Sequence, residues 1–154
     1  MTPVDVRKFG PEWFAVALGT LAVSINSLRL SRLYPLAFMV SALFYIGVLV
    51  LIAVTALCLT RLIRDPSVTL ADYWNLPRLS FVPVLPLSVI VALTVDIASG
   101  NSLLPLPGFV YFMVYYFSYV TVFVAAVALG VRLMFHDVDP NSLTYAVLIP
   151  PVTV

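Results

Sequence analysis

Few side chains in this sequence are of the types that carry out acid–base or metal chemistry. The chain has seven Asp and Glu residues, one His and one Cys. The run His136-Asp137-Val138-Asp139 is the best candidate for a metal site, but no second His or Cys lies near it. Asp139-Pro140 is more typical of a turn. Motifs of phosphate loops, dinucleotide sites, serine hydrolases and zinc proteases are absent. We therefore predict no catalytic residue, metal or cofactor, and no enzyme activity.

Polar side chains that could line a watery path are spaced along two apolar stretches. Three hydroxyl residues follow one another at intervals of four and three, which places them on one helical face with Trp13 and Ala17. The candidates for a pore lining are Trp13, Ala17, Thr20, Ser24, Ser27 and, in the later stretch, Thr94. Small and hydroxyl residues also dominate helix packing in membranes, so both interpretations stay open.

The one ionisable side chain well inside an apolar stretch is Asp96. An acid within a membrane segment is a functional-site hypothesis by default. The alternative, which we favour, is a structural ion pair with Arg29 or Arg32, which are expected at the same depth. These two arginines are also candidates for attracting an anion.

The composition identifies the elements that must hold these residues. Of the 154 residues, 62% are hydrophobic and only 10% are charged, whereas soluble domains carry about 25% charged residues. Eight Lys and Arg against seven Asp and Glu leave no basic patch for nucleic acid. The sequence therefore predicts an integral membrane protein whose first partner is the lipid bilayer.

Four apolar stretches are long enough, or nearly so, to cross a bilayer as helices. They lie at about 13–28, 36–60, 79–98 and 109–131, and their lack of alternation argues against barrel strands. A partial fifth span covers 145–154 and reaches about half of the hydrocarbon thickness. We expect the chain to be a fragment of a longer protein; a re-entrant tail turning at Pro150-Pro151 is the alternative. The predicted fold is all-α, a single transmembrane domain of tandem helical hairpins.

Basic residues predict how the spans are oriented. Six Lys and Arg residues fall on the side of the N-terminus and two on the other, which places the N-terminus in the cytoplasm of a multi-pass cell-membrane protein. The segment 61–80 is then a cytoplasmic loop, broken at Asp65-Pro66 and anchored at the interface by Tyr73-Trp74.

Prolines divide the spans into two kinds. They occur near the start of the odd-numbered spans, at Pro11, Pro83, Pro86, Pro150 and Pro151, and repeat at about 70 residues. A backbone carbonyl freed by proline is tolerated in a membrane only beside protein or a wet cavity. We therefore expect the odd spans, with these prolines, to line a pore and the even spans to face lipid.

Two segments resemble a known family. Residues 9–20, FGPEWFAVALGT, and residues 71–81, ADYWNLPRLSF, followed by Pro83, Pro86 and Asp96, are similar to the tellurite-resistance/dicarboxylate transporter family. That family includes malate and sulfite transporters and the slow anion channels of plants. The resemblance covers the chain but only the first half of a member. Glu12 is a departure, because members often carry a small residue there.

The resemblance implies a ten-helix pore fold of five hairpins, in which proline-kinked odd helices line the pore and a late helix supplies an aromatic gate. It implies transport of small anions such as C4-dicarboxylates, with the missing half or a second copy of the chain as candidate partners. The alternative is a scaffold subunit without transport activity, or a nonfunctional remnant.

Overall fold

The described part of the chain is built entirely from helices. The computed structural model describes residues 10–31, 34, 37–74, 81–100 and 103–135. A 3-10 turn over Pro11–Trp13 leads into α1 (Phe14–Leu30), which is followed by α2 (Ala37–Arg64), α3 (Pro66–Trp74), α4 (Val84–Ala98) and α5 (Gly108–Phe135). These ranges contain no strand, which confirms the all-helical prediction.

Three of the helices are long and apolar enough to cross a membrane. They are Pro11–Leu30, Phe38–Arg64 and Gly108–Val131, and three of the predicted spans fall on them. The predicted third span, 79–98, is represented by α4, which has only 15 residues and is about 22 Å long at 1.5 Å per residue. The partial fifth span, with Pro150 and Pro151, lies outside the described residues.

The prolines of α4 start the helix. Pro83 occupies the N-cap and Pro86 lies in the first turn, where backbone N–H groups have no partner within the helix. Proline there costs no hydrogen bond, so the helix begins at Val84 without a proline kink in its interior. This agrees with their predicted place near the start of the span, and it shows no kink of the kind that the family resemblance implied for α4.

The predicted cytoplasmic loop contains a helix that the sequence pattern did not reveal. The break at Asp65-Pro66 is confirmed, because α2 ends at Arg64 and α3 begins at Pro66. Thr69 is buried, and its hydroxyl donates a hydrogen bond to the Asp65 carbonyl at 2.8 Å. The α3 helix is only nine residues long, so helical periodicity gave little signal.

The helices α1 and α4 occupy the centre of the bundle. α1 packs against both α2 and α4, and α4 packs in turn against α5. Phe14 and Val84 share one apolar cluster, while Leu21 and Ala92 share another, so α1 and α4 run side by side in the same direction. Each is followed by a helix of 28 residues, α2 or α5. The arrangement is a repeated hairpin, with helix starts at positions 14 and 84, an interval of 70.

α1 and α2 pack tightly at Gly47. A Cβ atom added to Gly47 would lie 2.8 Å from the side chain of Leu21, which is fully buried. The absent side chain therefore lets Leu21 fill the space against α2.

We predict that Gly47→Leu destabilises the bundle by about 1–3 kcal/mol, because the added side chain overpacks the site held by Leu21. The measurement is thermal unfolding of the purified protein in detergent. The control is Gly130→Leu on α5, where an added Cβ meets nothing within 4 Å. Equal losses in both variants would contradict the assigned contact.

Candidate functional site

Several of the predicted pore-lining residues of α1 are packed between helices. Ala17 and Ser24 are fully buried, and Ser27 is 9% exposed. The Ser24 hydroxyl donates a hydrogen bond of 3.0 Å to the Val40 carbonyl on α2. In the described part of the chain, these three side chains lie in contacts between helices.

The other two candidates on α1 lie nearer the surface. Trp13 is 44% exposed at the start of the helix. Thr20 is half-buried, and its hydroxyl donates to the Val16 carbonyl within the same helix at 2.9 Å. Thr20 thus borders the exposed side of α1 with its own hydrogen bond already satisfied.

The exposed side of α1 forms a line of four residues that we call the open stripe: Val16, Gly19, Val23 and Asn26. They follow one another at intervals of three and four and are all exposed. A Cβ atom added to Gly19 would meet nothing within 4 Å. Because α1 is already covered by α2 and α4, the open stripe is its side without a described helix over it.

Of the predicted pore-lining residues on or beside α4, two are packed and one borders a cavity. Pro83 and Pro86 are buried. Thr94 is half-buried and donates to the Ile90 carbonyl at 2.8 Å. The cavity beside it has a volume of about 420 Å³ and is lined by Thr94, Ile97, Ala98, Tyr111, Phe112 and Tyr115. This cavity lies between α4 and α5, away from the open stripe.

Asp96 lies at the centre of a group that we call the Asp96 clamp: Asp96, Tyr45 and Tyr111 around the backbone of Leu103 and Leu104. Asp96 is fully buried. Its Oδ1 atom accepts hydrogen bonds from the N–H groups of Leu103 at 2.7 Å and Leu104 at 2.9 Å. The hydroxyl of Tyr45 donates to the Leu103 carbonyl at 3.1 Å, and that of Tyr111 donates to the Leu104 carbonyl at 3.2 Å.

The clamp satisfies four backbone groups with side chains from three different helices, α2, α4 and α5. A buried backbone group without a partner costs about 1–3 kcal/mol, and more in hydrocarbon, where no water replaces the partner. The clamp therefore fixes the connection between α4 and α5 against α2.

The expected ion pair between Asp96 and Arg29 is not formed, because Asp96 binds the loop backbone instead and Arg29 is exposed. Arg32 lies outside the described residues. The physical reason is proximity: the chain turns back directly after α4 and brings two N–H groups to the carboxylate. The Oδ2 atom is buried and has no hydrogen-bond partner among the described residues.

No group of three or more His, Cys, Asp and Glu side chains that could hold a metal ion occurs in the described ranges. The run His136-Asp137-Val138-Asp139 lies outside them. Cys58 is a free, buried thiol.

The comparisons with known proteins add one finding. A family model described as voltage-dependent anion channel matches residues 8–154. No curated protein and no solved structure matches the chain.

We predict that Asp96→Ala destabilises the protein by about 2–4 kcal/mol, because two buried N–H groups lose their acceptor. Asp96→Asn keeps an oxygen acceptor at the same position and should cost clearly less. The measurement is unfolding of both variants in detergent with increasing denaturant. Equal losses for Ala and Asn would contradict the clamp.

Proposed function

The chain belongs to the voltage-dependent anion channel family, and we propose that it moves small anions such as C4-dicarboxylates across the membrane, with the open stripe of α1 as one wall of the path. The match to an anion channel family and the three helices of membrane-spanning length support transport rather than catalysis as its function. The position of α1 carries the proposal: it is central, yet one side remains uncovered.

The neighbouring helices α2 and α5 support the assignment of the open stripe to the ion path, because their own exposed faces suit lipid. α2 and α5 expose many large apolar side chains, such as Leu49 at 68% and Phe117 at 74%, which suit contact with acyl chains. The open stripe has smaller side chains and ends in the amide of Asn26. A path for a hydrated ion needs space and a hydrogen-bonding group, and the small side chains of the open stripe and the amide of Asn26 offer both.

The charge distribution suits a passing anion. No Lys, Arg, Asp or Glu occurs between Glu12 and Arg29, so a full positive charge would not trap an anion along α1. Arg29 is exposed at the far end of the helix, where it would raise the local anion concentration. Conduction requires binding that is weak enough for the ion to leave.

One helix supplies only one wall. We propose that further hairpins of the same protein, or a second copy of the chain, supply the remaining walls. The placement in the cell membrane with a cytoplasmic N-terminus, and selectivity for malate-like anions or a link to tellurite resistance, are part of this proposal. The excess of basic residues on the side where α1 begins supports the orientation.

We predict that single cysteines in the open stripe, at Val16 or Val23, react with an anionic thiol reagent and that the modification reduces anion flux by about half or more. The background is Cys58→Ser, which removes the only native thiol. Flux is measured as anion release from liposomes that contain the reconstituted protein.

The matched controls are cysteines at Ala17 and Ser24, which lie on the same helix but are fully buried. They should stay unmodified and keep their flux. Block at Ala17 and Ser24 without block at Val16 and Val23 would contradict the open stripe as a wall and favour the face predicted from the hydroxyl spacing.

A further inference from the structure

Asn26 is the one member of the open stripe whose side chain can donate hydrogen bonds. The other three members, Val16, Gly19 and Val23, have apolar side chains or none. Asn26 is exposed, and no hydrogen bond joins its amide to another described residue. Its two N–H donors are therefore available to whatever lies beside this side of α1.

The amide of Asn26 lies at a depth where a polar group without a partner is costly. The helix of membrane-spanning length runs from Pro11 to Leu30, which is about 30 Å at 1.5 Å per residue, so Asn26 lies about one turn inside its end. An amide that faced acyl chains there would lose its hydrogen bonds with water and gain none in return. We therefore expect the side of α1 that carries Asn26 to border water rather than hydrocarbon.

The hydroxyl side chains of α1 are engaged within the protein. The Thr20 hydroxyl donates to the Val16 carbonyl at 2.9 Å, and the Ser24 hydroxyl donates to the Val40 carbonyl at 3.0 Å. A hydroxyl has a single O–H donor, so neither has a proton left for an ion. Ser27 is buried against the neighbouring helices. Asn26 is thus the polar side chain of α1 before Arg29 that can donate to a passing anion.

The charges at this end of α1 act alike on all anions of the same charge. Arg29, exposed three residues after Asn26, attracts an anion. The carboxyl end of the helix, equivalent to about half a negative charge, and the buried Asp96 oppose it. Whatever their sum, it cannot distinguish one monovalent anion from another. A preference between two such ions has to come from hydrogen bonds at short range.

We propose that Asn26 is the residue of α1 at which a passing anion exchanges part of its water shell for a hydrogen bond from the protein. The inference rests on the proposed function, because it needs anions to pass along the open stripe. It assigns to this chain a residue that determines selectivity. The amide compensates strongly hydrated anions, such as chloride and carboxylates, for the water that they lose, whereas weakly hydrated anions such as thiocyanate gain little from it.

The test compares chloride and thiocyanate efflux from liposomes that contain the wild-type protein or Asn26→Leu. Leu has a similar size but no hydrogen-bond donor. We expect the ratio of thiocyanate efflux to chloride efflux to rise about fivefold, as the loss of one hydrogen bond predicts, because chloride slows. Continued thiocyanate efflux shows that the variant is folded and open. Asn26→Gln, which restores the amide, should bring the ratio back toward the wild-type value.

Two control variants separate a free donor from an engaged one and from a charge. Thr20→Val removes a hydroxyl of the same helix that already donates to the Val16 carbonyl, so the ratio should not change. Arg29→Gln removes a positive charge, so it should slow both anions by the same factor and leave the ratio unchanged.

Equal ratios for Asn26→Leu and the wild type would overturn the inference while leaving anion transport in place. Equal ratios for Asn26→Leu and Asn26→Gln would also overturn it, because the amide would then have no effect of its own. A rise in the Thr20→Val ratio as large as that of Asn26→Leu would contradict the assignment to a free donor. Absence of efflux of both anions in the wild type would instead count against the proposed function.

Discussion

The structure depends on one constraint: inside a membrane, each backbone N–H and C=O group needs a partner from the protein itself. Helices meet it by their own hydrogen bonds, but the connection after α4 cannot. There the Asp96 clamp supplies the partners, with Oδ1 of Asp96 for two N–H groups and the hydroxyls of Tyr45 and Tyr111 for two carbonyls. Asp96 therefore accepts hydrogen bonds from the backbone after its own helix, and the clamp ties α2, α4 and α5 together at one end.

One hydrogen bond and several apolar contacts hold α1 close to its neighbours. Ser24 gives its hydroxyl to the Val40 carbonyl, and Leu21 fills the space left by Gly47. Both contacts turn one side of α1 toward α2. Apolar contacts with α4 cover a second side. The open stripe is what remains, and its position is a consequence of packing rather than of any polar signal in its own residues.

The sequence was enough to predict the family, the helical class, three apolar helices long enough to cross a membrane and the break at Asp65-Pro66. It could not define which face of α1 packs against its neighbours, because a helix that is apolar on nearly all sides has no periodicity that marks one face. Serine hydroxyls can satisfy a neighbouring carbonyl as well as face water, so Ser24 was ambiguous. The partners of Asp96 depended on how the chain returns after α4, which local patterns do not encode. The helix α3 was too short to produce a periodic signal.

The central claim is that α1 borders water while α2 borders lipid, and its most direct test is the environment of one residue on each helix. Val23 and Leu49 are exposed at 52% and 68%, and both lie within one helical turn of the level where Leu21 meets Gly47. Spin labels at these two positions, in a background without Cys58, are compared for relaxation by a water-soluble nickel chelate and by oxygen, which concentrates in lipid. The account predicts that the nickel chelate relaxes the label at Val23 more strongly than oxygen does, and that oxygen relaxes the label at Leu49 more strongly than the nickel chelate does. Stronger relaxation by oxygen than by the nickel chelate at both positions would contradict it.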